Sequence, residues 1–491
     1  MSAVLPKRTT HKQNTKRKLF LQLFLFCLLA AVAWNYLGRR STQQVNPKQN
    51  FAELSNDDLL RLAESMYMPP SQLKMDSKTA DTARLGRELF LDSGFSANGK
   101  ISCASCHQPE RSFTDGRVTS QGLSETAMNA PTLVNVNSGH WFFWNGRADS
   151  LETQATGPVE HPKEQGFSRV KVAYRLKSHY QKKYEKIFGP LPKTLPPESA
   201  RPATIVNPSV SDEVAAYALA TIGHSSLQKN ILASARDQSV QPIEIIKSLS
   251  ALGSDRRVAV EPQQNGPALS PQEQEEINKI FINFTRAIAA FERTIHAGAS
   301  PFDSFAESFS KTKNPQKSLG DAFGESELNG LRIFAGKGQC LVCHSGPKFT
   351  DEQFHNIGLP AKDAENLDLG RAQGLLLARS DPFNCKSHYF PKKKQTESCL
   401  ELEYLESENV DAVGAFKTPT LRQLRHSAPY GHDGRFLTLA GVLQHYNELQ
   451  QPAAIGRTEA TLRPLGLTSA ELKDLEAFLL SLHGSVTHLT R

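Results

Sequence analysis

Two short runs carry the chemistry of this chain: Cys103-Ala104-Ser105-Cys106-His107 and Cys340-Leu341-Val342-Cys343-His344. Two thiols at this spacing can add across the two vinyl groups of a haem, and the imidazole that follows then reaches the iron from one side. This is the covalent haem c pattern. A zinc site would want a second cysteine pair close by, but these pairs lie 237 residues apart. A redox dithiol does not need a His directly after its second Cys. Two haem attachment sites fit best, with His107 and His344 as iron ligands.

Of the seven cysteines, Cys27 lies in an apolar run, and Cys385 and Cys399 remain. In an oxidising compartment these last two can form a disulfide; the alternative is a pair of free surface thiols.

The N-terminus indicates that compartment. Residues 1–40 hold eight Lys or Arg and no Asp or Glu, and six of the eight precede an apolar run from Leu19 to Leu37. The run is long for a secretory signal and just long enough for a membrane span. The basic flank keeps the N-terminus in the cytoplasm. The expectation is a periplasmic body anchored to the inner membrane by residues 19–37, with cleavage near Ala31-Val32-Ala33 as the alternative. The chain's net charge is +7, so without those eight cations the rest is close to neutral. No nucleic-acid footprint follows from the charge.

The elements that position the motifs read as mainly α, with two cytochrome c-like haem domains packed together behind the N-terminal hydrophobic segment. The two motif regions repeat. Gly86-Arg87-Glu88-Leu89-Phe90 precedes the first and Gly330-Leu331-Arg332-Ile333-Phe334 the second; Phe113-Thr114-Asp115 and Phe349-Thr350-Asp351 follow them. Ser270-Pro271-Gln272-Glu273 is a capping box. Behind it Ile277, Ile280, Phe281, Phe284, Ile288, Phe291 and Ile295 form one apolar stripe. Thr468 and Glu471 open a second helix, with Leu472, Leu475, Phe478, Leu479 and Leu482 as its stripe and Gly484 as its stop. The expected division is a basic segment and anchor or signal at 1–40 and a linker with a lead-in helix at 41–79. The first haem domain then spans 80–269 and the second 270–491, the latter with an insert at 360–412. Residues 190–211 and 253–269 read as linkers, and the charge runs of the insert as a solvated face.

Around these motifs the sequence resembles the di-haem cytochrome c peroxidases and the related MauG-type enzymes, over roughly residues 80–180 and 280–485. The blocks that carry the resemblance are Asn129-Ala130-Pro131-Thr132, Phe143-Trp144-Asn145-Gly146-Arg147, the stretch from Gln154 through Gly157-Pro158 to Glu164, Phe354-His355-Asn356-Ile357-Gly358, and Ala428-Pro429-Tyr430-Gly431-His432-Asp433-Gly434. Asn145 stands where the family has Asp. The resemblance implies that Trp144 relays electrons between the haems and that Gln154 and Glu164 line the peroxide pocket of the first haem. It also implies a calcium ion at Asn129 and the carbonyls of Ser427 and Pro429.

Peroxide cleavage needs an open iron position and a group that moves a proton between the two oxygens. A carboxyl in a haem pocket suits that task, and Glu164 is the candidate, with Gln154 orienting the peroxide. Many family peroxidases close the first haem with a distal His, but this chain has none between His107 and Asn129. A five-coordinate first haem, active without prior reduction, is expected. The usual second-haem ligand is Met, yet all five Met precede the second motif. Tyr446 stands at the matching position, as in MauG-type enzymes. A phenolate there would lower that haem's potential. His445 competes for the role, and a plain core Tyr is the bland alternative.

The leading functional expectation is a peroxidase that reduces hydrogen peroxide with electrons from a small cytochrome c or cupredoxin, passed through the second haem. A MauG-like oxidase that modifies residues of a partner protein is the rival. A non-enzymatic electron-transfer cytochrome is the third reading.

Overall fold

The computed structural model describes residues 54–69, 75–202, 266–360, 368–390, 397–404, 410–450 and 453–490. The apolar run 19–37 with its basic flank, residues 203–211 and 253–265 of the two linkers, and Lys392 to Lys394 lie outside the described residues. Among the described residues, no helix is long and apolar enough to cross a membrane.

The architecture is mainly helical. In chain order the longer helices are α1 (Asn56–Met66), α2 (Ser77–Leu91), α3 (Pro271–Glu292), α4 (Pro301–Thr312), α5 (Glu325–Ala335), α6 (Arg371–Ser380), α7 (Leu439–Glu448) and α8 (Ser469–Leu480). Strand structure among the described residues is confined to two-residue pairs. β1 (His296–Ala297) pairs antiparallel with β4 (Val486–Thr487), and β2 (Phe354–His355) with β3 (Phe416–Lys417).

Both expected capping boxes form, at Ser270 with Glu273 and at Thr468 with Glu471. All seven stripe residues from Ile277 to Ile295 are buried. The second stripe is buried from Leu475 onward, but α8 ends at Leu480, short of Gly484. Ser481 makes that stop by turning its hydroxyl back onto the Phe478 carbonyl at 2.6 Å.

Each attachment motif follows a helix that crosses a second helix at a glycine. A Cβ on Gly86 of α2 would lie 1.7 Å from the Ala287 carbonyl oxygen of α3, and one on Gly330 of α5 would lie 2.0 Å from that of Asp474 in α8. Aromatic contacts repeat with the glycines. Phe90 packs on Phe113 and Phe291, and Phe334 packs on Phe349 and Phe478. Each unit is thus a crossed helix pair with a phenylalanine triad beneath the motif.

This pairing decides which helix serves which motif. The α3 helix, which opens the expected second domain at 270, gives its stripe to the core that holds Leu85, Phe90 and Phe113. The lead-in helix α1 packs Leu59, Ala63 and Met66 into the other core, with Phe302, Phe334 and Phe478. A buried ion pair fixes that docking: Arg422 binds Asp303 at 2.6 Å and donates to the Met66 carbonyl at 3.1 Å.

The described part of the insert packs against the rest of the chain. A disulfide joins Cys385 to Cys399. Phe383 enters the first core, and the Cys385 N–H donates to Asp149 at 2.7 Å.

Candidate active site

The two motifs present their histidines in the same way. The Nδ1 of His107 lies 3.1 Å from the Phe113 carbonyl, and that of His344 lies 2.8 Å from the Phe349 carbonyl. Nδ1–H donating to a carbonyl leaves the lone pair on Nε2, the atom that would face an iron. Phe113 and Phe349 both adopt positive φ, 59° and 54°, to aim those carbonyls. Burial pushes both imidazoles toward the neutral, ligating form. The four motif cysteines are not in disulfides. Free thiols, oriented neutral imidazoles and a phenylalanine floor fit a covalently attached haem at each motif.

Glu164 reaches the first motif through an intervening loop. The Leu123 N–H donates to the Glu164 carbonyl at 2.9 Å and the Ser124 N–H to the Lys163 carbonyl at 3.0 Å. Gly122 keeps this contact close, since a Cβ there would meet the Lys163 oxygen at 2.4 Å. The same loop places the Gln121 carbonyl 3.9 Å from Cys106 Sγ. Burial pushes the Cys106 thiol up to about 11, and the charges of Asp115 and Glu164 add to it. The Glu164 carboxylate is partly exposed and lies 3.6 Å from His161 Nδ1.

Arg147 joins this group. Burial lowers its pKa, while the charges of Glu164 and Asp368 act against that shift. Its guanidinium sits 3.5 Å from the centre of the Phe143 ring. Burial also lowers the pKa of His161, which feels Glu164 and Arg147 in opposite senses. Sequence reading quoted Arg147 within its block without giving it a task, and did not single out His161. The three-residue spacing from His161 to Glu164 was the available signal. Gln154 ends the short helix Leu151–Gln154 and is partly exposed; its amide makes no hydrogen bond among the described residues.

Trp144 is pinned from both sides. Its indole N–H donates to the Asn129 carbonyl at 2.9 Å, and its own carbonyl accepts the Lys417 N–H at 2.8 Å. Asn129 in turn donates its backbone N–H to the His432 carbonyl at 2.9 Å and its side-chain amide to the Arg117 carbonyl at 2.7 Å. The structure therefore bonds Asn129 to His432, three residues after Pro429. The amide nitrogen is committed to protein, which turns Oδ1 the other way. An amide oxygen and two backbone carbonyls are ligand types that calcium takes.

On α7, Tyr446 and His445 part company. His445 Nε2 is held 3.0 Å from the Ile357 carbonyl. Burial, then the charges of the Cys340 and Cys343 thiols, raise the phenol pKa of Tyr446. The phenol there stays protonated unless a cation supplies charge.

His355 was missed as a site residue, although its block was noticed. Its ring bridges Asp351 and Glu459 at 2.9 Å each, and together with Cys343 and Asp351 it forms the metal-competent cluster among the described residues. Hydrogen bonds, that of Asp351 foremost, push its pKa up to about 11. With Cys343 taken as a haem thioether, the cluster is a bridging imidazolium beside the second haem.

Fold and site together give two like units, each with a Cys-x-x-Cys-His motif fit to hold a haem, and Trp144 hydrogen-bonded between them. Residues 80–242 match the family model described as di-haem cytochrome c peroxidase. The chain is 28% identical to the methylamine utilization protein MauG of Methylorubrum extorquens, over 89% of each chain. It is 24% identical to the cytochrome c551 peroxidase of Nitrosomonas europaea, over 78% of each. Among solved structures it resembles the di-haem peroxidase BthA of Burkholderia thailandensis, with TM-score 0.53, 17% identity, and 84% of this chain and 88% of that one covered. A MauG-like protein associated with microbial copper homeostasis matches with TM-score 0.50 and 22% identity, over 85% and 94%. These matches support the di-haem cytochrome c peroxidase/MauG family. Relatives of both names are matched, so the similarity favours neither branch.

Proposed function

We propose that this chain is a peroxidase: Cys103, Cys106 and His107 would hold the haem that serves peroxide reduction, and Cys340, Cys343 and His344 would hold a second haem that serves electron supply. The observation that carries the reading is the grouping of Arg147 and His161 around Glu164, whose charge reaches Cys106. Haem, when bound, supplies the iron that peroxide approaches and the route for electrons. Hydrogen peroxide, two electrons and two protons give two waters. Glu164 takes the proton from one peroxide oxygen and returns it to the other. The Arg147 guanidinium favours the negative charge that develops as the O–O bond breaks. Gln154 orients the peroxide, and Trp144 carries electrons between the haems. A small cytochrome c or cupredoxin is the donor. Asn129 and the carbonyls of Ser427 and Pro429 would hold a calcium ion, which would tie the two halves together. The body works in the periplasm, held to the inner membrane by residues 19–37.

A second reading has one feature in its favour, Tyr446 at the second motif. A phenolate on that haem suits a MauG-like oxidase, which draws the electrons from residues of a partner protein.

The test is peroxide turnover with reduced cytochrome c or cupredoxin as donor. Glu164→Gln is expected to cut turnover sharply while both haems stay attached. Unchanged turnover would remove Glu164 from the mechanism. No turnover with either donor would overturn the peroxidase reading and leave the oxidase reading.

A further inference from the structure

Two lysines meet where the halves join. Lys348 lies four residues after His344, and Lys417 in β3 stands opposite Phe354 of β2. Three hydrogen bonds lay the stretch 417–420 beside 348–353. They run from the Thr418 N–H to the Gln353 carbonyl at 2.9 Å, from Thr350 Oγ1 to the Thr418 carbonyl at 2.7 Å, and from Thr420 Oγ1 to the Lys348 carbonyl at 2.6 Å. Burial pushes both lysines down to about 8, and for Lys348 the charge of Lys417 adds to the effect. Two poorly solvated cations side by side are costly unless an anion answers them.

The carboxylates at hand are already engaged. Glu352 pairs with Lys348 and also accepts the His140 N–H at 2.8 Å. Asp351 attracts Lys417, but it is bonded to His355 Nε2 and to the Gln353 N–H, each at 2.9 Å. The Lys417 ammonium makes no hydrogen bond among the described residues. It is a cation without its own carboxylate, on a strand whose backbone N–H is bonded to the carbonyl of Trp144.

We propose that Lys417, supported by Lys348, binds a propionate carboxylate of the haem attached at Cys340 and Cys343. The proposal rests on the haem reading of that motif. A haem brings two carboxylates that need partners once water is excluded, and an ammonium gives a charge-assisted hydrogen bond. A propionate held by Lys417 would be held by a residue whose backbone N–H is bonded to the Trp144 carbonyl. Lys417 thereby holds the haem's orientation and, as a nearby cation, raises its potential by disfavouring the ferric charge.

The experiment uses the full chain with both haems attached, and the haem count per chain is measured on the same samples. One haem per chain would defeat the haem reading itself and is seen separately. Lys417→Gln is expected to shift the second haem's midpoint potential negative and leave the first unchanged, while Lys417→Arg keeps it near the native value. Resonance Raman needs no variant: the propionate bending band of the second haem should move in D2O in the native protein as the ammonium hydrogens exchange. An unshifted potential in Lys417→Gln, or a native propionate band indifferent to D2O, overturns the proposal.

Discussion

Gly86 and Ala287 touch so closely that any side chain at Gly86 would strike the Ala287 carbonyl, the oxygen lying 1.7 Å from where a Cβ would stand. Backbone, not a flexible side chain, is in the way, so α2 and α3 would have to separate. Gly86→Ala is expected to cost about 1–3 kcal/mol or more by overpacking. Gly330→Ala should act likewise at the other crossing, where the contact is 2.0 Å. Thermal unfolding measures the loss. Native stability in both variants would contradict the crossing geometry.

Glu292 makes stability depend on pH. It ends α3 with 3% of its surface exposed and Oε2 without a hydrogen-bond partner among the described residues, and burial pushes its pKa up to about 8 from an ordinary 4.5. The carbonyl oxygens at the helix C-terminus, the negative end of its dipole, also disfavour its charge. Between those pH values the folded chain holds a proton that the unfolded chain has lost. This stabilising contribution is complete below pH 4.5 and disappears as pH rises toward 8, at about 1.4 kcal/mol per pH unit. Denaturant titrations across that window should show the decline in the native protein and a flatter profile in Glu292→Gln. Parallel profiles would mean that Glu292 is ionised throughout.

The two haems should differ in spin. With no His between His107 and Asn129 and with Tyr446 buried within reach of the Cys340 and Cys343 charges, ferric EPR is expected to give one high-spin and one low-spin signal. Tyr446→Phe should change the low-spin signal alone, and His445→Gln should leave it in place because His445 Nε2 is bonded to Ile357. Two low-spin signals in the native protein would rule out an open first haem.

The disulfide Cys385–Cys399 ties the insert to itself at a distance from both attachment motifs in the sequence. Replacing both cysteines with Ser should lower stability by about 3 kcal/mol in the chain-entropy model and leave both haem spectra unchanged. Altered haem spectra would show that the insert also shapes a haem pocket.

What the sequence determined by itself is local. The haem motifs are covalent patterns with fixed spacing, and the capping boxes and the α3 stripe depend on contacts within a few turns. Those features were legible at Cys103, His107, Ser270 and Ile277 for that reason. The repeated Gly86 and Gly330, and Phe113 and Phe349, were visible as a repeat, but their tasks were not. A glycine's value lies in the backbone that crosses it, and these phenylalanines also serve through a carbonyl aimed at a histidine. The tertiary structure alone decided that α3 serves the first core and α1 the second. It also grouped Arg147 and His161 with Glu164, set His355 between Asp351 and Glu459, and left Lys417 beside Lys348. Each of these depends on elements far apart in the chain. Spacing carries no record of which apolar faces meet or which charges are stripped of water together, and packing settles both.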